Sequence, residues 1–382
     1  MHFVMKISKL CNLRCRYCYE YDELDRPERM PLERLRPFFA SVADWWRSGP
    51  AGPPPVFVLH GGEPLLLPVA YVRAFAEALH DALDPAGVPF AISVQTNLTR
   101  VDPDMLALLE EFRISLGVSL DVFGGERVTA GGRDAQPRVL DNLQSLFDSG
   151  AADRLGVGAI SVIHRGNVAH AERTFAFYRE LGLSYRMLPV FALADPPARM
   201  RHLTLGHDEV LDAFMRVADA YLASDAPIRV YPLVHFMQAA VDGLAGAGTG
   251  GYDPRVAEWA LIVDTNGDAY SHAEAYTPDG LMGNVFAQPL AEIMDGPGRR
   301  RAIAVRMERA TLCDACPHGR SCSRLPIVES LPSERRRDAD GRLECAIARP
   351  MIDHLTERIR RDPRALELVE ARRGEERAVA VT

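Results

Sequence analysis

The chain has 382 residues, a formal net charge of −8, 47% hydrophobic residues and 25% charged residues. That composition belongs to a globular protein able to bury a core without disulfide staples, and it excludes collagenous and disordered chains. The acidic balance argues against a dedicated nucleic-acid binder, which carries a basic face. Basic residues are almost all arginine, with Lys6 and Lys9 the only lysines.

In chain order, residues 2–8 (HFVMKIS) read as a strand running into a cysteine-rich loop. Residues 31–47 read as an amphipathic helix with Leu32, Leu35, Phe38, Phe39 and Val42 at helical spacing. A strand at 55–60 ends in Gly61-Gly62-Glu63-Pro64 and is followed by a helix at 69–83. Strands at 90–96, 115–120, 157–163 and 184–190 alternate with helices at 103–112, 136–149 and 168–181. Six strands alternating with helices predict a parallel α/β sheet or partial barrel. Residues 192–205 form a proline-containing connection, and 207–223 and 232–245 read as helices. A glycine-rich loop at 246–253 precedes a hairpin at 258–271, signalled by Asn266-Gly267 between apolar alternations. Residues 349–372 read as a charged helix, and the last ten residues as a frayed end. No apolar run near the N-terminus is long enough for a signal peptide and none elsewhere is long enough to cross a bilayer, so the expected location is the cytoplasm, away from the membrane.

Seven cysteines argue against a pure disulfide framework. Cys11, Cys15 and Cys18 stand as C-x3-C-x2-C. No cysteine follows until Cys313, Cys316 and Cys322, spaced C-x2-C-x5-C, and then Cys345. Clustered thiols in a reducing compartment point to metal ligation. Three thiolates suit a cubane iron–sulfur cluster with one iron left open to a ligand; a zinc site completed by a distant His is the alternative at this point. Four thiolates in the second set suit a closed iron–sulfur cluster or a structural zinc.

The stretch CNLRCRYC at 11–18, with Tyr17 before the third cysteine, resembles the cluster loop of the radical S-adenosylmethionine (SAM) superfamily. The resemblance implies a partial (β/α)6 barrel in which Cys11, Cys15 and Cys18 hold a [4Fe–4S] cluster. SAM would bind the open iron and be cleaved to methionine and a 5′-deoxyadenosyl radical that abstracts a substrate hydrogen. Gly61, Gly62, Glu63 and Pro64 resemble the family's GGEP motif, which meets the SAM ammonium. Gln95-Thr96-Asn97 ends the third strand, where Thr96 and Asn97 would face SAM or cap the next helix. Ser119 and Asp121 lie in the SLD stretch. Ser119 is expected at SAM, Asp121 as a substrate-side base or a loop-structuring residue, and Arg127 as partner of the SAM carboxylate. The motif departs from the family in having Val122 where glycine is usual. Leu188 on the sixth strand is the candidate for packing against adenine.

The second cysteine set resembles the SPASM/twitch extension of peptide-modifying radical SAM enzymes. The missing ligands, near Ser271-His272, after Gly283 and at Pro326, all belong to one of that extension's two auxiliary clusters. The resemblance therefore implies one auxiliary [4Fe–4S] cluster held by Cys313, Cys316, Cys322 and Cys345 and serving as electron acceptor. The implied organisation is a barrel core at 1–190, a helical bridge at 191–254, an auxiliary-cluster domain at 255–350, and a C-terminal helix and tail at 351–382. Tyr270, His272 and Glu274, after the hairpin, are the candidate substrate-side groups.

The SLDVFGG stretch and the reduced cysteine set look most like maturases of ribosomally made peptides, and among these the cyclophane-forming group. The expectation is a C–C cross-link in a precursor peptide. The partners are that peptide and a reductant such as flavodoxin or ferredoxin; because only ten residues precede Cys11, leader binding is expected elsewhere on the chain, by a separate leader-recognition protein, or not at all. Alternatives are a dehydrogenase of a small-molecule alcohol, an oxidase of a protein Ser or Cys side chain, and a thioether-forming or epimerising maturase. A non-catalytic iron–sulfur carrier is disfavoured by the GGEP and SLD motifs. Arg335-Arg336-Arg337 reads as a solvated loop or as a contact for an acidic leader.

Overall fold

The computed structural model describes residues 1–49, 53–192, 197–248, 252–255, 257, 259–272 and 275–362. In chain order the elements are β1 (His2–Ser8), α1 (Leu35–Ser48), β2 (Val56–Gly61), α2 (Val69–Leu83), β3 (Ala91–Thr96), α3 (Pro103–Glu111), β4 (Ser115–Ser119), α4 (Gln136–Asp148) and α5 (Ala151–Arg154). They continue with β5 (Gly158–Ile163), α6 (Ala171–Glu180), β6 (Tyr185–Pro189), α7 (His207–Leu222), β7 (Val230–Tyr231) and α8 (Leu233–Leu244). The last are β8 (Ala260–Val263), β9 (Asp268–Ser271), β10 (Leu281–Asn284), α9 (Leu290–Met294), α10 (Pro297–Ala310), α11 (Leu325–Val328), β11 (Arg336–Arg337), β12 (Leu343–Glu344) and α12 (Ala348–Arg361).

The chain divides into two compact units. The first comprises Met1–Leu120, Gly125–Gly158 and Arg255–Val305; the second comprises Asp121–Gly124, Ala159–Pro254 and Arg306–Thr382.

In the first unit β1, β2, β3 and β4 are consecutive parallel neighbours. The other edge of β1 takes β8 in parallel, and β8, β9 and β10 follow antiparallel. Asn266-Gly267 does turn this hairpin, with Gly267 at φ +90° and its N–H on the Asp264 carbonyl at 2.9 Å. Alternation on β1 puts Phe3, Met5 and Ile7 on the helix side, all fully buried. Phe3 stacks on Phe57 of β2 at 5.0 Å, and Phe38, Phe39 and Phe75 of α1 and α2 close the cluster edge-on. Helix α1 buries Leu35, Phe38, Phe39, Val42 and Ala43, one stripe at i, i+3, i+4 spacing. The segment around Leu32 is a 3-10 turn ahead of it, so the helix starts later than its periodicity predicts. Asp102 caps α3 by accepting the Asp104 N–H at 3.0 Å, with Pro103 pre-set in the first turn.

In the second unit β5, β6 and β7 are parallel. Helix α6 packs on α7, and α12 packs on α8 and α7. Helix α12 occupies Ala348–Arg361; the part of the predicted helix beyond residue 362 lies outside the described residues. Among the described residues no helix is long and apolar enough to cross a membrane.

Candidate active site

Strand β1 delivers the chain into the first cysteine loop, which is pinned on both sides. Cys11 N–H donates to the Leu24 carbonyl at 3.0 Å, Arg14 N–H to Val128 at 2.6 Å, and Cys18 N–H to Cys15 at 2.9 Å. Buried Leu13 forms a bridge with Thr129. None of the seven cysteines is joined in a disulfide. Cys11 feels the charges of Cys15 and Cys18, so the three lie in one another's field. Burial pushes the Cys11 thiol up to about 12 and that of Cys18 up to about 11. Thiols held this way ionise when a metal supplies the compensating charge. The Cys11 sulfur accepts the Leu13 N–H at 3.4 Å and the Asn97 amide at 3.8 Å. Three soft donors on one loop, oriented by the chain's own hydrogen bonds, suit an iron–sulfur cluster. Among the described residues no three His, Cys, Asp or Glu side chains gather as tightly as a single ion needs.

The glycines of the GGEP motif approach this loop directly. A Cβ on Gly61 would stand 2.0 Å from the Ser8 carbonyl oxygen, and one on Gly62 would stand 2.3 Å from that of Leu10. Gly62 N–H donates to Ser8 and Glu63 N–H to Leu10, at 2.8 and 2.9 Å. The two glycines thus press on the backbone leading to Cys11. Glu63 is likewise engaged. Its buried carboxylate accepts Leu65 N–H at 2.9 Å, Thr96 hydroxyl at 2.7 Å and Asn97 N–H at 2.6 Å. Burial raises its pKa, against the pull of these donors and of Arg127. Pro64 starts the short 3-10 turn after it.

Asn97 is a hub: its amide also donates to Asn12 at 2.9 Å, and its oxygen accepts Thr99 N–H at 2.9 Å. Ser119 at the end of β4 accepts the Gln95 amide at 2.8 Å, and Gly117 leaves the room that Gln95 fills. The buried Arg127 donates to the Tyr17 hydroxyl at 2.9 Å, joining the cysteine loop to the segment after β4. The first unit thus gathers Cys11, Cys15, Cys18, Tyr17, Gly61 to Pro64, Thr96, Asn97, Ser119 and Arg127.

Tyr270 and His272 are half-buried in the same unit. Tyr270 lies against Tyr276 at 5.4 Å. Glu274 lies outside the described residues. Sequence reasoning missed the group beside them. Lys6 is fully buried on β1. Its ammonium meets Glu20 at 2.8 Å, the Tyr19 hydroxyl, and Nδ1 of His60 at 3.2 Å. Burial alone would lower the Lys6 pKa, but Tyr19 and Glu20 outweigh it and keep the charge. Burial, and then Lys6, hold His60 well below its ordinary pKa, hence neutral. Tyr276, left-handed at φ +60°, donates to Glu20 at 3.0 Å. The available signal was a lysine placed inside an apolar strand, in a chain with two lysines.

The second unit holds the remaining candidates. Asp121 is buried and its Oδ1 accepts the Val162 N–H at 2.7 Å. Leu188 on β6 is 42% exposed. Cys313, Cys316, Cys322 and Cys345 line one cavity of about 490 Å³, with Pro326 at its wall. Burial pushes Cys313 up to about 12 and Cys345 up to about 11, and each feels the other cysteines. Four thiols around one cavity fit a protein-ligated cluster. Arg335, Arg336 and Arg337 are taken up by Ser330, by Asp208 and Glu344, and by the Gly341 carbonyl. Arg336 and Arg337 form β11, and Arg337 is exposed to solvent.

Residues 5–178 match the radical SAM superfamily, and this stretch is a radical SAM domain. Through it the chain carries a domain whose superfamily implies SAM and a [4Fe–4S] cluster as cofactors. It is 30% identical over 192 residues to the serine-type anaerobic sulfatase-maturating enzyme of Klebsiella aerogenes; the match covers 48% of this chain and 45% of that enzyme, so it spans less than half of the relative's length. Among solved structures, native anSMEcpe with bound AdoMet and Cp18Cys peptide superposes with a TM-score of 0.74 at 16% identity, covering 97% of this chain and 98% of that one. Streptococcus suis SuiB bound to S-adenosylmethionine gives 0.58 at 14% identity, covering 90% and 77%. These two likenesses are likenesses of fold.

Proposed function

We propose that this chain is a peptide maturase that removes two hydrogens from a ribosomally made precursor peptide and closes a C–C cross-link of the cyclophane type. The observation that carries this reading is the pair of cysteine sets: three thiols on the loop after β1, and four around one cavity of the second unit. A set of three leaves a position open for SAM; a set of four leaves none, and suits electron storage. Cys11, Cys15 and Cys18 would hold the SAM cluster, and Cys313, Cys316, Cys322 and Cys345 the auxiliary one. When bound, SAM and its cluster supply hydrogen-atom abstraction.

The chain's own residues do the positioning. Leu13 and Asn97 orient the Cys11 sulfur through N–H donors. Glu63 fixes the ends of β2 and β3 relative to each other, so that Thr96 and Asn97 stand beside the cysteine loop. Arg127, steered by Tyr17, offers a guanidinium suited to the SAM carboxylate. Gln95 sets the Ser119 hydroxyl. Tyr270 and His272 are the groups assigned to the peptide. The reading calls for a reductant such as flavodoxin or ferredoxin.

The likeness to the serine-type sulfatase-maturating enzyme favours a second reading, the oxidation of a Ser side chain in a protein substrate. Anaerobic co-expression with a short peptide encoded beside this gene separates the two. Loss of two hydrogens, with fragmentation failing across an aromatic-containing segment, supports the cross-link. The same loss confined to one Ser, with normal fragmentation, supports the second reading. An unchanged peptide despite SAM cleavage rejects both for that peptide.

A further inference from the structure

The four cysteines of the second unit do not share one environment. Ala348 and Arg349, in the first turn of α12, line the same cavity as Cys345, and their backbone N–H groups act on its sulfur. The positive end of a 14-residue helix therefore faces this thiol. The Cys322 sulfur accepts the Arg324 N–H at 3.4 Å. Arg324 has a left-handed backbone, φ +64°, a conformation a non-glycine residue keeps when its surroundings hold it there. The side chain supplies that hold: Nε donates to the Gly319 carbonyl and Nη1 to Asp314, both at 3.1 Å. The guanidinium is largely buried, lines the cysteine cavity, and acts electrostatically on both Cys313 and Cys322.

One-electron reduction of a cluster adds one negative charge to it. Net charge nearby, hydrogen bonds to the sulfurs and solvent exposure set iron–sulfur potentials. A clamped cation and N–H donors on two of the four sulfurs all favour the reduced form. We propose that Arg324 is a positioning residue that raises the reduction potential of the cluster Cys313, Cys316, Cys322 and Cys345 would hold, acting together with the N-terminus of α12, and so makes this site the electron acceptor. The inference rests on the reading of these four cysteines as a [4Fe–4S] site.

The test uses the full chain with Cys11, Cys15 and Cys18 changed to Ala, so that the second set alone carries iron. The midpoint is followed by EPR during a redox titration, with and without Arg324→Gln, Arg324→Lys and Asp314→Asn. The Gln variant keeps the backbone N–H on Cys322 and removes only the charge. Its reduction equilibrium is expected to shift about tenfold toward the oxidised form, which reads as about 59 mV for one electron. The Lys variant restores most of that shift. Asp314→Asn, which removes the opposing carboxylate, moves the midpoint the other way. Should Arg324→Gln fail to keep its iron, the Lys and Asn variants still carry the comparison. Unchanged midpoints in iron-replete Gln and Asn variants overturn the inference and leave the cluster reading standing. Zinc in place of iron in the parent protein overturns the cluster reading and the inference with it.

Discussion

The carboxylate of Glu63, at the end of β2, accepts the backbone N–H of Asn97, just past the end of β3, at 2.6 Å. The same Asn97 donates its amide to the Cys11 sulfur. One buried acid therefore connects the GGEP turn to the first thiol of the cysteine loop through a single intermediate residue. Glu63→Gln leaves one acceptor oxygen facing three donors. The expected cost is about 1–3 kcal/mol, the price of leaving a buried donor unmatched. Urea unfolding reads it, and iron content at the first cysteine set should fall with it. Unchanged stability would mean that Glu63 does not carry these bonds.

Lys6 and Glu20 form a buried ion pair at 2.8 Å, with side chains 0% and 6% exposed. Removing the cation with Lys6→Met strands a buried carboxylate and should cost about 3–5 kcal/mol. Adding Glu20→Gln should recover part of that loss, giving a favourable coupling in a double-mutant cycle. Simple additivity of the two changes would show the pair to be independent.

Gly62→Ala places a methyl group 2.3 Å from the Leu10 oxygen and 2.4 Å from the Lys9 oxygen, both main-chain atoms that cannot rotate away. The lead-in to Cys11 must shift, at a cost of about 1–3 kcal/mol. The variant is expected to lose iron from the first set and keep it in the second, so total iron falls from about eight to about four per chain. Equal loss from both sets would point instead to general unfolding.

Glu209, in the first turn of α7, accepts the Gly206 N–H at 2.9 Å and pairs with Arg165. The Gly206 N–H, and then Arg165, hold its carboxyl below the usual range. A depressed folded pKa gives stability that is present above the unfolded value and is lost as pH falls through the folded one. Both side chains are exposed and screened by solvent, so the contribution is small, about 0.5 kcal/mol. The difference in Tm between the parent protein and Glu209→Gln should be full at pH 7, begin to shrink only below about pH 4, and vanish once the pH lies below the depressed folded pKa. A difference that persists in acid would place the effect outside this carboxylate.

Much of the architecture was legible because it rests on local periodicity. Alternation along β1, the stripe of α1 and the Asn266-Gly267 turn need only neighbouring residues to be read, and the strand and helix positions agree to within a few residues. The two cysteine sets were legible for a different reason: thiols at short fixed spacing leave little else to do than ligate. Contacts between distant residues were not legible. Nothing local says that Gly61 and Gly62 face the chain's own cysteine lead-in, or that Glu63 is filled by Thr96 and Asn97.

The same division holds for the charged groups. Arg335-Arg336-Arg337 is a basic run in the sequence, yet the fold gives each guanidinium an internal partner. That Asp121 accepts the Val162 N–H from β5, 41 residues on, is likewise not written in its neighbours. Lys6 and Tyr276 are joined through Glu20 because the β8–β9 hairpin docks along β1 and brings its following loop back to the start of the chain. Composition, periodicity and spacing determined by themselves that this is an α/β protein with two thiol sets, and a family resemblance added that the first set sits on a SAM-type loop. Only the tertiary structure decided which buried donors meet which acceptors, since hydrogen bonds depend on distances of a few ångströms between residues that the linear order leaves far apart.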